Sequence, residues 1–319
     1  MLKYTARRIL ETVPTTLGIV ILSFVLFNVV GGSPAAAVLG KNASAEAIKA
    51  FNALHGYDKP LLFGSFASAG SFFDSQFFNF VKAVFCGDFG FSVEHNEPVV
   101  DVLRRGVGPS LSLTVPILAA GTLVSLALAM VSAMCRGGVV DKAVLVFSTM
   151  MMSVNYVVWV LVGQYFLSYR LGLFPVWGYG GAFYLVLPVA IGVFSSLGAD
   201  VRFFRTAILD EMYKPYVLTA RAKGLSRVAI MVRHVLGNAL IPVVTYVSLS
   251  IPYLFAGSLL LESFFGIPGL GAVSINAIHS SDMAVVRTVV VLGALLYQFV
   301  NLATDLAYAW LDPRVRLKG

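Results

Sequence analysis

Charge is sparse in this sequence. Of its 319 residues, 12% are Asp, Glu, Lys or Arg and 58% are hydrophobic. Soluble domains carry about a quarter charged residues. Half that share, with long apolar runs, excludes an ordinary soluble domain and implies an integral membrane protein. Acidic residues are the rarer sign, leaving a formal net charge of +7. No basic, aromatic groove accompanies it, so nucleic acid is not an expected partner; what matters is the side of the membrane the cations occupy. Cysteine is nearly absent, and Cys86 and Cys135 form no zinc or redox spacing. The histidines His55, His95, His234 and His279 are scattered. His95 has acidic neighbours Asp88, Glu94 and Glu97 but no i,i+4 ligand or cysteine, which favours a solvated loop over a metal site. Reaction motifs are missing too. Without a G-x-x-x-x-G-K-[ST] phosphate loop the chain is not expected to hydrolyse ATP. Neither G-x-S-x-G nor H-E-x-x-H is there to support a membrane hydrolase. No catalytic residue, metal or cofactor is expected in this chain.

What the chain does have is apolar runs near the roughly 20 helical residues that cross a hydrocarbon core. Ile9–Val30 is the first. Ala35-Ala36-Ala37 offers a signal-peptidase site, but the run exceeds the roughly 7–15 residues of a signal-peptide core, so a retained span is expected. Gly31–Gly108 is mixed in character. Its aromatic cluster, Phe72, Phe73, Phe77, Phe78 and Phe80, is interrupted by Asp74, Gln76, Asn79 and Lys82, as in an interfacial helix. Ser110–Met134 is the second span, with Gly121, Ser125, Ala129 and Ala133 forming a small-residue strip for close helix packing, within the chain or against another subunit. Ala143–Leu167 is the third, Ala182–Leu197 a short fourth, Asn238–Leu261 a fifth with Pro242 and Pro252, and Val285–Leu311 the sixth. The expected fold is therefore an all-α integral membrane protein with six transmembrane helices.

Polar groups inside such spans need partners. Asn155 and Gln164 either line a substrate path or bond helix to helix, and Gln298 and Asn301 lie on the sixth span. Asp305 lies near the inner end of the sixth span, where hydration argues against a proton relay. Six spans put both termini on one side. The cations agree: Lys3, Arg7, Arg8, Arg136 and Lys142, the Arg202–Arg233 stretch, and Arg314, Arg316 and Lys318 share that side, which is expected to be cytoplasmic. Lys41, Lys49, Lys59, Lys82, Arg104 and Arg105 fall in the long first loop, where the rule has little force.

The chain is organised around Tyr216–Pro242, YVLTARAKGLSRVAIMVRHVLGNALIP. It is basic, with Arg221, Lys223, Arg227, Arg233 and His234. Val217, Ala220, Leu225, Val228, Met231 and Val232 recur at spacings of three and four, so parts of it form an amphipathic helix. Gly224 interrupts that helix and turns the chain. A helix of this kind lies across the end of a membrane domain, where a soluble partner can grip it.

This stretch resembles the EAA loop of ABC-importer permeases, in the version of the dipeptide/oligopeptide/nickel family. The resemblance rests on TARAKGL at Thr219–Leu225, His234 and NALIP at Asn238–Pro242. The acidic residue that opens the generic motif is replaced by Leu218, with Asp210 and Glu211 upstream. RRILETVPTTLGIVILSF near the N-terminus, GDFGFSVEHNEPV at Gly87–Val99, LESFFGIPGLG at Leu261–Gly271 and the tail DPRVRLKG at Asp312–Gly319 resemble other elements of that family.

The resemblance implies a type I ABC importer transmembrane domain, one of two homologous permeases, and uptake of di- or oligopeptides. Nickel or a metal chelate is the alternative cargo. It also implies two ATP-binding subunits, which carry ATP and Mg, and an extracytoplasmic substrate-binding protein, beside membrane lipid. Thr219, Ala220, Arg221, Lys223, Gly224, Leu225 and His234 would couple to the ATPase, with the push delivered around Ala220–Val228. Asn155, Gln164, Glu262, Gln298 and Asn301 are the candidates for the translocation path, though Glu262 equally suits a carboxylate bonding backbone amides. Residues 1–108 would hold the first helix and the long outer loop. Residues 109–319 would hold a five-helix permease core with the coupling loop at about 202–236. An ion-coupled secondary transporter, the competing class, would need an internal repeat and deep ionisable groups. No repeat is visible, and Asp305 is the one candidate group.

Overall fold

The computed structural model describes residues 2–30, 35, 39, 43–63, 72–251, 254 and 258–311. The Ala36–Ala37 part of the cleavage site, Pro252 and the Asp312–Gly319 tail lie outside these residues. Among the described residues the regular structure is helical apart from one antiparallel pair, Phe91–Ser92 with Glu97–Pro98, with loops such as Leu171–Gly181 between helices. It divides into two compact units: Met1–Val107 with Ala272–Gly319, and Gly108–Gly271.

In the first unit, the helix Leu2–Phe24 continues as a π-helical turn over Val25–Val30 and packs along Met283–Leu311. Val20, Phe24, Phe80 and Val291 form the buried contact. Arg8 pairs with Asp305 at 3.5 Å, and the Gln298 amide donates to Thr15 Oγ1 at 2.8 Å. The aromatic cluster is partly a short helix, Gln76–Cys86, capped by the Ser75 hydroxyl and stopped by Gly87. Eleven residues rise only about 16 Å, too little to cross a bilayer. Phe77 stands edge-on to Phe24 at 5.3 Å. The short strand pair is tied down by Asp282, which accepts from Ser92 Oγ at 2.6 Å and the Glu94 amide at 3.2 Å.

The second unit holds most of the helix Val99–Met134, then Val139–Ser153, Tyr156–Arg170, Ala182–Met212, Pro215–Ala222, Arg227–Ser248 and Leu259–Phe265. The small-residue strip packs within the chain. Ser125, Ala129 and Ala133 are buried, and a Cβ on Gly121 would come within 3.2 Å of Ser196 Oγ.

Among the described residues five helices are long and apolar enough to cross a membrane, or up to seven spans if each bent pair counts. Three expected boundaries move. The third span is not one rod over Ala143–Leu167 but two helices meeting at 92°. Val154 is extended, and Asn155 caps the second helix by accepting the Val157 amide at 2.9 Å. The fourth span does not stop at Leu197: its helix runs 31 residues to Met212 and takes in Arg202 and Arg205. The fifth starts at Arg227, not Asn238, and ends at Ser248 rather than Leu261. Leu259–Phe265 and Leu270–His279 form a further pair bent by 83°.

Arg205 is accommodated by an ion pair. Its Nε and Nη2 donate to Asp141 Oδ1 and Oδ2 at 2.8 and 2.9 Å, and Ser132 Oγ donates to Oδ1 at 2.5 Å. The Gly137 amide adds a fourth bond at 2.9 Å. Three helices are thereby joined around one carboxylate.

Candidate functional site

The basic stretch folds as a helix, a turn and a second helix. Pro215 opens Pro215–Ala222 at its first turn, where a missing N–H costs nothing. Val217 and Ala220 face inward, 1% and 5% exposed, among Phe204, Ile208, Met231 and Val235. Leu218, Thr219, Arg221 and Ala222 are exposed, as are Lys223, Gly224 and Leu225 beyond the helix end. Gly224 has φ +78° and open space around its Cα, so its role there is conformational rather than steric. Its amide closes the turn on the Arg221 carbonyl at 2.9 Å. The Ser226 hydroxyl caps the next helix through the Ala229 amide at 3.2 Å. Ala220–Val228 is thus the end of one helix and the start of the next, separated at Lys223–Ser226 with the expected turn at Gly224.

This helix is clamped on both sides. The Tyr216 hydroxyl donates to Glu211 Oε2 at 2.6 Å and accepts from Asn238 Nδ2 at 3.2 Å. Asn238 also donates to the His234 carbonyl at 3.2 Å, and Lys214 pairs with Glu211. Burial, then the Glu211 carboxylate, pushes the Tyr216 phenol above its ordinary value. His234 thus sits on the far side of the clamp, on the following helix, and contributes through its backbone. Sequence reasoning missed Tyr216 and Asn238 as a pair, although both lie inside the quoted stretch and Glu211 had been singled out beside it.

Beneath the turn, Arg136, Arg221 and Arg227 ring a cavity of about 410 Å³ with an apolar floor that includes Val217, Ile230 and Val235. The Arg136 guanidinium lies 4.9 Å from the Tyr213 ring centre.

The LESFFGIPGLG motif closes on its own glutamate. Glu262 is fully buried. Its Oε1 accepts from Ser110 Oγ at 2.8 Å and the Ser258 amide at 3.0 Å, and its Oε2 accepts from the Gly271 amide at 2.6 Å. Gly269 and Gly271 have to be glycine: a Cβ on either would stand 2.4 or 2.8 Å from Oε2. Of the two readings of Glu262, the geometry is that of a carboxylate holding backbone amides.

The other polar span residues are placed as follows. Asn155 is a helix cap. Gln164 donates to the Val176 and Phe264 carbonyls at 3.0 and 2.7 Å, bridging loop and helix. Gln298 and Asn301 lie on the helix that packs along the first one. A second open space within the second unit lies apart from these residues. A cavity of about 450 Å³ is lined by Thr114, Thr122, Ser195, Ser196, Asp200 and Tyr246, with Tyr156, Ser250 and apolar neighbours. None of Asn155, Gln164 and Glu262 is among its lining residues.

Comparison with known proteins adds independent information. Residues 121–317 match the model of a family described as binding-protein-dependent transport system inner membrane component. Residues 1–114 match the companion model for the N-terminal part of such membrane components. The chain is similar to a probable peptide ABC transporter permease protein, y4tP, of Sinorhizobium fredii, at 30% identity over 98% of this chain and 99% of that one. It is similar to the glutathione transport system permease protein GsiC of Pectobacterium atrosepticum, at 32% identity over the full length of both. It is also similar to the dipeptide transport system permease protein DppB of Bacillus subtilis, at 30% identity over 99% of each.

Proposed function

Because this chain belongs to the family of binding-protein-dependent transport system inner membrane components, we propose that it conducts peptides inward across a bacterial cytoplasmic membrane, powered by ATP hydrolysis on separate subunits. Peptide, glutathione and dipeptide in the relatives' names favour peptide cargo over nickel or a metal chelate. Family membership sets the ion-coupled secondary transporter aside. The working assembly would pair this chain with a second homologous permease, two ATP-binding subunits holding ATP and Mg, and an extracytoplasmic binding protein. Both termini would face the cytoplasm.

The observation that carries the mechanism is the two-faced helix Pro215–Ala222. Its outer face, Leu218, Thr219, Arg221 and Ala222 with the adjoining Lys223, Gly224 and Leu225, is free to dock on an ATP-binding subunit. Its inner face, Val217 and Ala220, is embedded in the core of the membrane helices. Packed cores resist continuous deformation and move as units. A displacement of the outer face would therefore pass to Ala182–Met212 and Arg227–Ser248 and rock the spans between outward and inward access. Arg221 and Lys223 would steer or hold the surface of the ATP-binding subunit, and Gly224 would set the turn.

The test is a pull-down from detergent-solubilised membranes, wild type against Gly224→Trp. Wild type should retain ATP-binding subunits whose hydrolysis rises with a peptide-loaded binding protein, and the variant should lose or uncouple them. Absence of ATP-binding subunits from both samples would sink the importer reading.

A further inference from the structure

We infer that Asp200 is the group in the bundle cavity that receives the cationic amino terminus of the transported peptide. The inference rests on the peptide reading above and adds the chemistry of recognition within the permease itself.

The cavity of about 450 Å³ falls within the roughly 300–1,000 Å³ usual for small-ligand sites, and its lining is chemically one-sided. Its polar groups are hydroxyls, from Thr114, Thr122, Tyr156, Ser195, Ser196, Tyr246, Ser250 and Ser258, and a single carboxylate, Asp200. Among the described residues no Lys, Arg or His lines it. Among the described residues no cation lies within ion-pair distance of Asp200, whereas Asp141 in the same unit has Arg205. An ionisable side chain at this depth without a countercharge marks a functional position rather than a structural pair.

Asp200 is also held in place. The Tyr246 hydroxyl donates to Oδ1 at 3.0 Å. The Tyr246 ring is itself fixed, stacked on Phe203 at 4.5 Å and edge-on to Phe204 at 5.8 Å. The Ser196 hydroxyl is a second neighbour that favours the ionised form. An ionised carboxylate offers about four lone-pair positions, so two donors leave about half of its accepting capacity for a ligand in the cavity. A primary ammonium, with three donors, fits that vacancy, and the surrounding hydroxyls suit the amide and carboxylate oxygens of a short peptide. A ligand with a net negative end and no ammonium would meet only repulsion at Asp200. The class recognised is thus a short peptide with a free α-amino group.

Uptake by the complete importer in proteoliposomes tests this, with binding protein loaded to the same measured level for each substrate. A dipeptide with a free amino group is compared with its des-amino analogue in wild type, Asp200→Asn and Asp200→Glu. Charge-assisted hydrogen bonds are strong enough that the Asn variant should lose about ten- to a hundred-fold of the preference for the free amine. The Glu variant should keep most of it, and all three complexes should retain their ATP-binding subunits. Equal slowing of both substrates, or an Asn variant with unchanged preference, overturns the assignment of Asp200 and leaves the importer reading standing. Failure of the wild-type complex to move any peptide overturns both.

Discussion

Ser110 and Glu262, on helices far apart in sequence, share a hydrogen bond of 2.8 Å, and the same serine oxygen accepts the Leu270 amide at 2.7 Å. One hydroxyl thus satisfies a buried carboxylate and the first amide of the helix that follows the PGLG turn. Burial makes each of these bonds costly to lose. Glu262→Ala would leave Ser110 and the amides of Ser258 and Gly271 without their acceptor, at about 1–3 kcal/mol apiece. Thermal unfolding in detergent should show a large drop in midpoint for Glu262→Ala. Gly269→Ala should also destabilise, because its Cβ would overlap Glu262 Oε2 at 2.4 Å.

Gly224 yields a different signature. Its φ of +78° lies where a Cβ costs roughly 1–2 kcal/mol, while the space around it is open. Substitutions should therefore rank by backbone tolerance rather than size. Asn should be mildest, and Ala should impair peptide uptake nearly as much as a larger β-unbranched residue. A steep dependence on side-chain volume, read from uptake rates at equal expression, would contradict a purely conformational role.

The Asp141–Arg205 pair is 4% and 16% exposed and bidentate. Removing one partner of such a pair costs about 3–5 kcal/mol, whereas replacing both by apolar residues of similar volume is often tolerated. Arg205→Met alone should destabilise the purified protein strongly. Adding Asp141→Leu should recover much of the loss in a double-mutant cycle.

The Tyr216 clamp makes a prediction in pH. The phenol pKa is raised in the folded protein, so the stability it contributes is fully present below the unfolded tyrosine value of about 10. It is lost as pH rises through the folded value. Protection of the amides of Pro215–Ala222, measured against their intrinsic base-catalysed exchange rates, should stay constant through neutral pH and fall only in the alkaline range. Tyr216→Phe should raise exchange of the helix and remove that dependence.

Much of this was legible in the residues. Apolar runs located the spans, and the spacing of Val217 and Ala220 marked the inward face of the helix Pro215–Ala222. The right-angle break at Val154–Asn155 was hidden because no glycine or proline marks it. The one clue is an asparagine, a good helix cap, inside an apolar run. Helix ends at Met212 and Arg227 were misread because charge was equated with loop, although a helix continues through charged residues when, as at Arg205, they find partners. That error also concealed Asp200: it sits three residues beyond the expected end of the fourth span, one turn after Ser196, on the cavity-lining side of a helix that keeps going.

The acceptor set for Arg205 has a consequence for biosynthesis. An arginine costs up to about 2.5–3.5 kcal/mol at the translocon if it enters at the centre of a span, and less towards its end. Asp141 precedes Arg205 by 64 positions, and Ser132 by 73. When Ala182–Met212 leaves the ribosome, the carboxylate and hydroxyl that will bind its guanidinium have already been made and delivered to the membrane. The order of the chain thus supplies the receiving groups before the charge that needs them, and reversing that order, as in a circular permutant starting between the two, should slow insertion of the arginine helix.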